Sequence, residues 1–432
     1  MKKIKLTRLS MITLLSISSI SAGEFQSIGQ LSTSMGGVGV ASSKGAIASY
    51  FNPALLTQKR NKVDVRLGIG AAIRENNIGE KIDTLSNLEL TDTLERIGNN
   101  IGRSNTQEDR DNIVKAQNIL KEIGTQNGLS IMPSAYFATQ VNEYAIGIYA
   151  TSDISASAVV DKNRLALSVQ GDDGKYYNYN PNTDNYTIIS QEEYNAHSLE
   201  SAIGENGTTH VNVKGLALLE VPVSYAKAYN IKEGELSVGG SLKFMRGSTF
   251  VKRVDIDSES GKTNDDLDEN KKDSSNVGID LGLLFKPSKI DKLTIGLVAK
   301  NINSPTFDTY DGGSIKADMQ LRTGLLYNLN EKVELAMDLD LTSNDTFISG
   351  YESQQIGAGV NYKPASWFSI RAGLMQNLAN SNDGLVYSTG FGIGAEALSL
   401  DVAAQMASKS GAYDGEDIPK YAKVNIALIS RW

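Results

Sequence analysis

From residue 131 to the end of the chain, apolar and non-apolar positions alternate one by one, the period of a β-strand with one apolar face. Val277, Ile279, Leu281, Leu283 and Phe285 alternate with Gly278, Asp280, Gly282, Leu284 and Lys286. Val333, Leu335, Met337, Leu339 and Leu341 alternate with Glu334, Ala336, Asp338 and Asp340. An earlier run, Val63, Val65, Leu67, Ile69 and Ala71, opposes Asp64, Arg66, Gly68 and Gly70. Runs of about 9–12 residues have the length that a tilted strand needs to cross the hydrocarbon core. The pattern predicts fourteen strands, near 62–73, 131–140, 143–153, 218–229, 235–250, 275–286, 292–302, 315–328, 331–342, 353–363, 367–377, 385–396, 397–408 and 419–432.

Alternation alone leaves open which face meets lipid, because a soluble sandwich shows the same pattern with its apolar face inward. Three features favour a membrane barrel. The polar partners are small or charged, which suits a wet or ion-paired lumen. The strand number is even, as in bacterial barrels. The connections alternate long and short along the whole chain, whereas a soluble sandwich has no reason to segregate loop length by end. Val424, Ile426, Leu428 and Trp432 share one face of the last strand, opposite Lys423, Asn425 and Arg431. An aromatic final residue on such a strand resembles the signal read by the barrel-assembly machinery, so Trp432 marks that machinery as an expected partner. The outer wall and loops would meet outer-membrane lipid and lipopolysaccharide.

Two segments break the period. Residues 80–123 carry helical stripes: Leu90, Leu94, Ile97 and Ile101, then Ile113, Ala116, Leu120 and Ile123. They form a helical insertion, 74–130, either as a docking platform for a protein partner or an outer-membrane ligand, or as a two-helix cap packed on itself over the barrel mouth. The long outer loop 154–217 holds a Tyr- and Asn-rich stretch, 171–188, and a helix expected over 191–203. Tyr176, Tyr177, Tyr179 and Tyr186 there suit sugar stacking, contact with lipid head groups or a solvated hairpin loop.

The first 23 residues read as a secretory signal: Lys2, Lys3, Lys5 and Arg8, an apolar run from Leu9 to Ile20 too short to span a bilayer, then Ser21-Ala22-Gly23. Losing the four basic residues takes the net charge from −8 to −12, which argues against a nucleic-acid partner. The chain has no Cys and two His, His197 and His210. That removes disulfides, thiolate metal sites, a Cys nucleophile and a multi-His cage. A nucleophile elbow and a zinc-protease motif are absent from the sequence. The acidic loop 255–270 lacks the glycine and glutamate of a calcium-binding hand. The sequence therefore implies no enzyme, no metal and no cofactor.

Between the signal and the first strand, residues 24–61 show no strand period. Small residues dominate there: Ser32, Ser34, Gly36, Gly37 and Gly39, then Phe51-Asn52-Pro53-Ala54. Such a segment can pack closely against other backbone inside a lumen. The glycines allow conformations that a Cβ opposes, and Asn52-Pro53 makes a rigid corner whose Asn side chain can close a local turn.

The run LSTSMGGVGVASSKGAIASYFNPALL (31–56) resembles the N-terminal hatch of FadL-type outer-membrane transporters for hydrophobic compounds. Together with EVPVSYAKAY (220–229), LSVGGSLKFMRGSTF (236–250) and LVAKNINSP (297–305), it looks closest to the conjugal-transfer TraF-like branch of that superfamily. The resemblance implies an all-β fold: a 14-stranded antiparallel transmembrane barrel (62–432) plugged by its N-terminal segment in the bacterial outer membrane. It also implies passage or binding of a hydrophobic, fatty-acid-like small molecule. The chain departs from a greasy tunnel at its expected lumen positions: Asp64, Arg66, Lys243, Asp280, Lys300, Arg322, Glu334, Asp338, Asp340, Arg371 and Asp401. These would form an ion-paired belt that seats the hatch. The alternative function is a non-transporting outer-membrane platform for a conjugation, secretion or surface-attachment assembly. A secreted soluble β protein is a third reading.

Overall fold

The computed structural model describes residues 20–58, 63–204, 206–256, 270–395, 397–413 and 416–432. Fourteen strands close one antiparallel barrel in which every neighbour in the wall, the closing pair apart, is a neighbour in the order of barrel strands. They are β1 (Val63–Asn76), β2 (Gly128–Val141), β3 (Tyr144–Val159), β4 (His210–Ile231), β5 (Gly234–Asp255), β6 (Lys271–Pro287) and β7 (Leu293–Lys300). The second half is β8 (Gln320–Asn328), β9 (Val333–Asp340), β10 (Gln355–Ala365), β11 (Phe368–Asn377), β12 (Leu385–Ala395), β13 (Leu398–Ala407) and β14 (Tyr421–Arg431). Pairing of β14 with β1, from Asp64↔Arg431 to Arg74↔Tyr421, closes the ring and leaves no open edge along that seam.

The burial pattern decides the question that alternation left open. The apolar series faces outward: Ile69 is 59% and Phe244 60% exposed, and Leu281 and Val424 behave alike. The opposite series is buried inside, Arg66 at 3% and Asp280 at 2%. A surface studded with aliphatic and aromatic side chains around a charged interior is the inverse of a water-soluble protein, and it fits a hydrocarbon solvent. Among the described residues no helix is long and apolar enough to cross a membrane; the strands do the crossing.

One end of the barrel carries short turns. The β2–β3 turn is Asn142-Glu143, with Asn142 at a φ of 53°, a left-handed position that asparagine tolerates. The other end carries all the long connections, so it is the outer end. β4 and β5, at 22 residues each, rise above that end on one flank, whereas β7 and β9 have 8 residues.

One strand differs from expectation. The alternation continues through 315–328, but the barrel strand starts at Gln320. Ser314–Ala317 instead pairs with Thr306–Asp308 in a small sheet above the wall. Periodicity is blind to which partner a strand finds, and Ile315, Ala317 and Phe307 pack into a separate cluster with Leu216 and Met245.

Before β1, residues 23–58 run inside the barrel. Helix α1 (Gln30–Ser34) lies against β12 and β13. Helix α2 (Ala48–Phe51) and a 3-10 turn (Pro53–Thr57) follow, the turn against β4, β5 and β6. The first 19 residues, which include most of the expected signal, and residues 59–62, the end of the expected 24–61 unit, lie outside the described residues.

Above the outer rim, the β1–β2 connection forms three helices, α3 (Gly79–Asn87), α4 (Leu90–Asn99) and α5 (Gln107–Glu122). Thr106 caps α5 by accepting from the Asp109 N–H at 3.0 Å, with Glu108 and Asp109 in the first turn and Lys121 in the last, complementing the helix dipole. The expected two-helix cap packed on itself is therefore incomplete. Leu94, Ile97, Ile113 and Leu120 share one core with Leu165, Val169, Tyr179, Leu199 and Ile203 from the β3–β4 connection. The Tyr-rich stretch is no solvated loop. It is a three-stranded sheet (Ser168–Gln170, Tyr176–Asn180, Asn185–Ile189) with Tyr177 and Tyr179 buried. The helix expected over 191–203 is broken into α6 (Gln191–His197) and α7 (Leu199–Ile203), with the Ser198 side chain capping the second by accepting from the Ser201 N–H. His197 is exposed and His210 partly so.

Candidate functional site

Every expected lumen charge is buried, and most of them touch the inner segment or a residue beside it. The Asp338 carboxylate accepts from the Gly39 and Val40 N–H groups at 2.7 and 2.9 Å. Asp64 accepts from the Ala46 N–H at 2.8 Å and from Arg66 at 2.7 Å, with Arg431 at 3.1 Å. Glu334 takes Lys44 from the segment, and Asn361 at 2.8 Å and Lys363 from the wall. Arg322 donates to the Gly37 carbonyl at 3.1 Å and lies 3.5 and 3.4 Å from Asp338 and Asp340. Carboxylates that receive backbone N–H bonds in a buried site form the stronger, charge-assisted class of hydrogen bond.

The remaining charges pair within the wall. Lys243 bonds Glu220 and Asp280 at 2.9 and 3.0 Å, and Asn301 at 2.6 Å. Arg371 meets Asp401 at 2.6 Å, and Asp340 accepts from the Gln355 N–H at 2.7 Å. Lys300 has a different environment. Its ammonium lies 3.5 Å from the Tyr50 ring centroid and 4.9 Å from that of Phe25, and Arg322 covers Phe25 from 4.7 Å.

The small residues of the inner segment meet a wall that lacks side chains where they touch it. A Cβ on Gly357 would fall 1.8 Å from the Gly36 carbonyl oxygen, and one on Gly282 1.9 Å from Asn52 Oδ1. A Cβ on Gly239 would fall 2.4 Å from the Ala54 N. Gly36 itself has a φ of +72°, as the motif implied, but Gly39 does not need that freedom. At Gly39 the missing Cβ makes room for the Phe51 ring, 2.3 Å away.

Asn52 is the corner. Its Oδ1 accepts from the Ala54 N–H at 3.0 Å, closing the local turn. Its Nδ2 donates to the Val40 carbonyl at 3.0 Å and to the Leu283 carbonyl of β6 at 3.1 Å. One side chain thus ties two parts of the segment to the wall. Pro53 and Ala54 continue into the 3-10 turn, fully buried. Ser34 donates back to the Gln30 carbonyl at 2.7 Å, and Ser32 is buried in the same helix.

Between segment and wall lies an apolar cluster in an otherwise charged interior: Phe25, Ile47, Tyr50 and Phe51 from the segment against Tyr136, Tyr149 and Val298 from β2, β3 and β7. Ring centroids are 6.0 Å apart for Phe25–Phe51 and 5.1 Å for Tyr50–Tyr149, within the range of favourable aromatic pairs. Of these rings the sequence reading singled out Phe51 alone and passed over the rest. Tyr136 sits beside outward Phe137, so two adjacent aromatics masked the inward one. Glu220 was missed too, although it lies on the inward series with Ser224 and Ala226. Arg74 lies one residue past the expected end of the first strand. It is buried between the Tyr351 and Tyr421 rings and pairs with Glu24 at 2.9 Å.

Outside the membrane span, the outer domain has its own polar tie. Asp184 accepts from Asn105 Nδ2 at 2.8 Å and from Tyr179 at 2.9 Å. The Asn105 side chain, with the Tyr179 hydroxyl behind it, holds the Asp184 carboxyl below its ordinary value. Among the described residues, no group of three or more His, Asp or Glu side chains is placed to hold a metal ion.

This architecture, a closed 14-strand antiparallel barrel with an apolar outside, is shared with a solved toluene transporter. The toluene transporter TbuX of Ralstonia pickettii superposes with a TM-score of 0.50 at 14% identity, over 94% of this chain and 98% of that one. A FadL homologue of Pseudomonas aeruginosa gives 0.49 at 12%, over 93% and 98%. No curated protein matches the sequence. The family model described as "F plasmid transfer operon, TraF, protein" matches residues 49–364, and the chain belongs to that family.

Proposed function

We propose that this protein passes a hydrophobic small molecule across the bacterial outer membrane, with residues 24–58 acting as the hatch. The observation that carries the reading is the aromatic cluster between segment and wall. It is a patch inside the charged lumen where an apolar molecule loses little by replacing a side chain. Burial of apolar area would favour the ligand by about 25 cal/mol per Å², and the rings contributed by the segment, Phe25, Tyr50 and Phe51, are those a ligand would displace. The transporter named among the similar structures supports this reading by analogy of fold only.

The mechanism is a displacement. A ligand entering from the outer loops competes for the faces of Tyr136 and Tyr149, the segment yields its rings, and Asn52 sets how far the corner gives way. Replacing Asn52 by Ala removes its bonds to Val40 and Leu283 without touching the ring cluster. Uptake of labelled alkyl and aromatic compounds by cells carrying this variant should differ several-fold from wild type, with heat-modifiable migration unchanged. Wild-type cells taking up the whole panel no faster than cells lacking the protein would overturn the proposal.

A second reading, the outer-membrane platform, is favoured by one observation: the two longest described outer connections fold into one domain with its own core. Because that core is shared, deleting 80–123 alone would expose its other half. Replacing both 78–126 and 161–209 by short linkers is the cleaner test, and loss of a co-purifying protein from an intact barrel is the expected result.

A further inference from the structure

The lipid-facing wall has a defect that neither the transport reading nor the platform reading uses. In the ladder between β2 and β3, pairing runs through Ile131↔Ile154, lapses at Met132 and Pro133 opposite Ser152 and Asp153, and resumes at Ser134↔Thr151. Pro133 has no N–H to give. Around the lapse the outward residues are small, Ala135, Ala150, Ser152 and Ala217, whereas their neighbours on the same face are Ile131, Ile154, Leu219 and Phe244. The result is a recess of about 350 Å³ across β2 to β5, lined also by Arg246 and Ser248 at its outer rim.

Arg246 is the first charge above the apolar band of β5, where Val238, Leu242 and Phe244 face outward. It is well exposed and pairs with Asp273 at 2.9 Å. Lys271 lies 3.9 Å from the same carboxylate, so one anion serves two cations. Phosphate is the anion that a guanidinium binds with two parallel bonds. The recess faces hydrocarbon, and the cations stand at the headgroup level of the outer leaflet, the end that carries the long loops.

We propose that this recess is a lipid site for a phosphorylated glycolipid of the lipid A class. One acyl chain fills the recess over Ala135, Ala150 and Ala217, and a phosphate engages Arg246 and Lys271. The site lies on the outside of the wall and is independent of whether anything passes through the lumen.

The test uses the full-length protein in mild detergent, incubated with bis-phosphorylated lipid A, phosphatidylethanolamine or phosphatidylglycerol, and read by native mass spectrometry. Wild type should retain lipid A in preference to both phospholipids. Arg246→Ala should lower lipid A retention roughly tenfold, the effect of one charge-assisted contact. Ala217→Phe should fill the recess and lower it several-fold. Both substitutions point outward, and heat-modifiable migration checks assembly. Equal retention by wild type and Arg246→Ala, or equal retention of phosphatidylglycerol and lipid A by wild type, would overturn the proposal.

Discussion

The segment inside the barrel and the domain above it are both non-strand bodies attached to the same wall, yet they are held by opposite means. Beside its one aromatic cluster, the inner segment is fixed by backbone amides on buried carboxylates, Asp338 and Asp64, and by close backbone approach at glycines. The outer domain has one contiguous core of Leu, Ile, Val and Tyr side chains drawn from two connections. The difference follows from the surroundings. A barrel in lipid turns its apolar face outward, so whatever enters the lumen meets the polar series and must satisfy it. A body above the rim has water around it and must bury its own apolar surface to stay folded.

Four experiments can break or sharpen this contrast. The largest effect is expected at the glycine seats. Gly357→Val places atoms where the Gly36 carbonyl lies, so the segment should fail to seat. A cysteine at Ser34, inert to maleimide in the otherwise unaltered protein, should become reactive while the barrel still forms. An inert cysteine would show that the wall can yield. Next, Asp338→Ala leaves two segment amides unbonded and Arg322 with Asp340 as its one carboxylate partner. Removing one partner of a buried pair costs about 3–5 kcal/mol, and denaturant unfolding in detergent should register it.

In the outer domain the sensitive positions are apolar. Ile97→Ala should cost about 2–5 kcal/mol in resistance of the outer connections to protease, with heat-modifiable migration of the barrel unchanged. A parallel loss in the barrel would mean that the two bodies are coupled. The smallest effect is one of pH. Asp184 has a folded pKa below its ordinary value, so its contribution is present above that ordinary value and is lost as pH falls through the folded one. Protease sensitivity of the outer connections should therefore rise in acid below the usual carboxylate range, and Asp184→Asn should flatten that dependence.

The wall was legible because its signal is local. Period two, strand length and loop alternation are properties of neighbouring residues. So is the corner at Asn52-Pro53, whose turn-closing bond to Ala54 is an interaction two residues apart. What sequence reading lost was relational. Ser314–Ala317 alternates as well as any barrel strand but pairs elsewhere. Gly39 shares a motif with Gly36 but is there for the Phe51 ring. Tyr179 sits in a polar stretch that reads as solvated, yet it is buried against helices encoded some 80 residues earlier.

By itself the sequence determined the class of element, the number of strands, the end at which the long connections gather, and which side chains oppose which along each strand. It also supplied the glycines and carboxylates of the interior. Only the tertiary structure decided that Asp338 and Asp64 would each receive backbone from the N-terminal segment, and that two distant connections would share one core. Periodicity is written in residues one or two apart. Pairing across a closed ring joins residues hundreds of positions apart, and no local pattern names the partner.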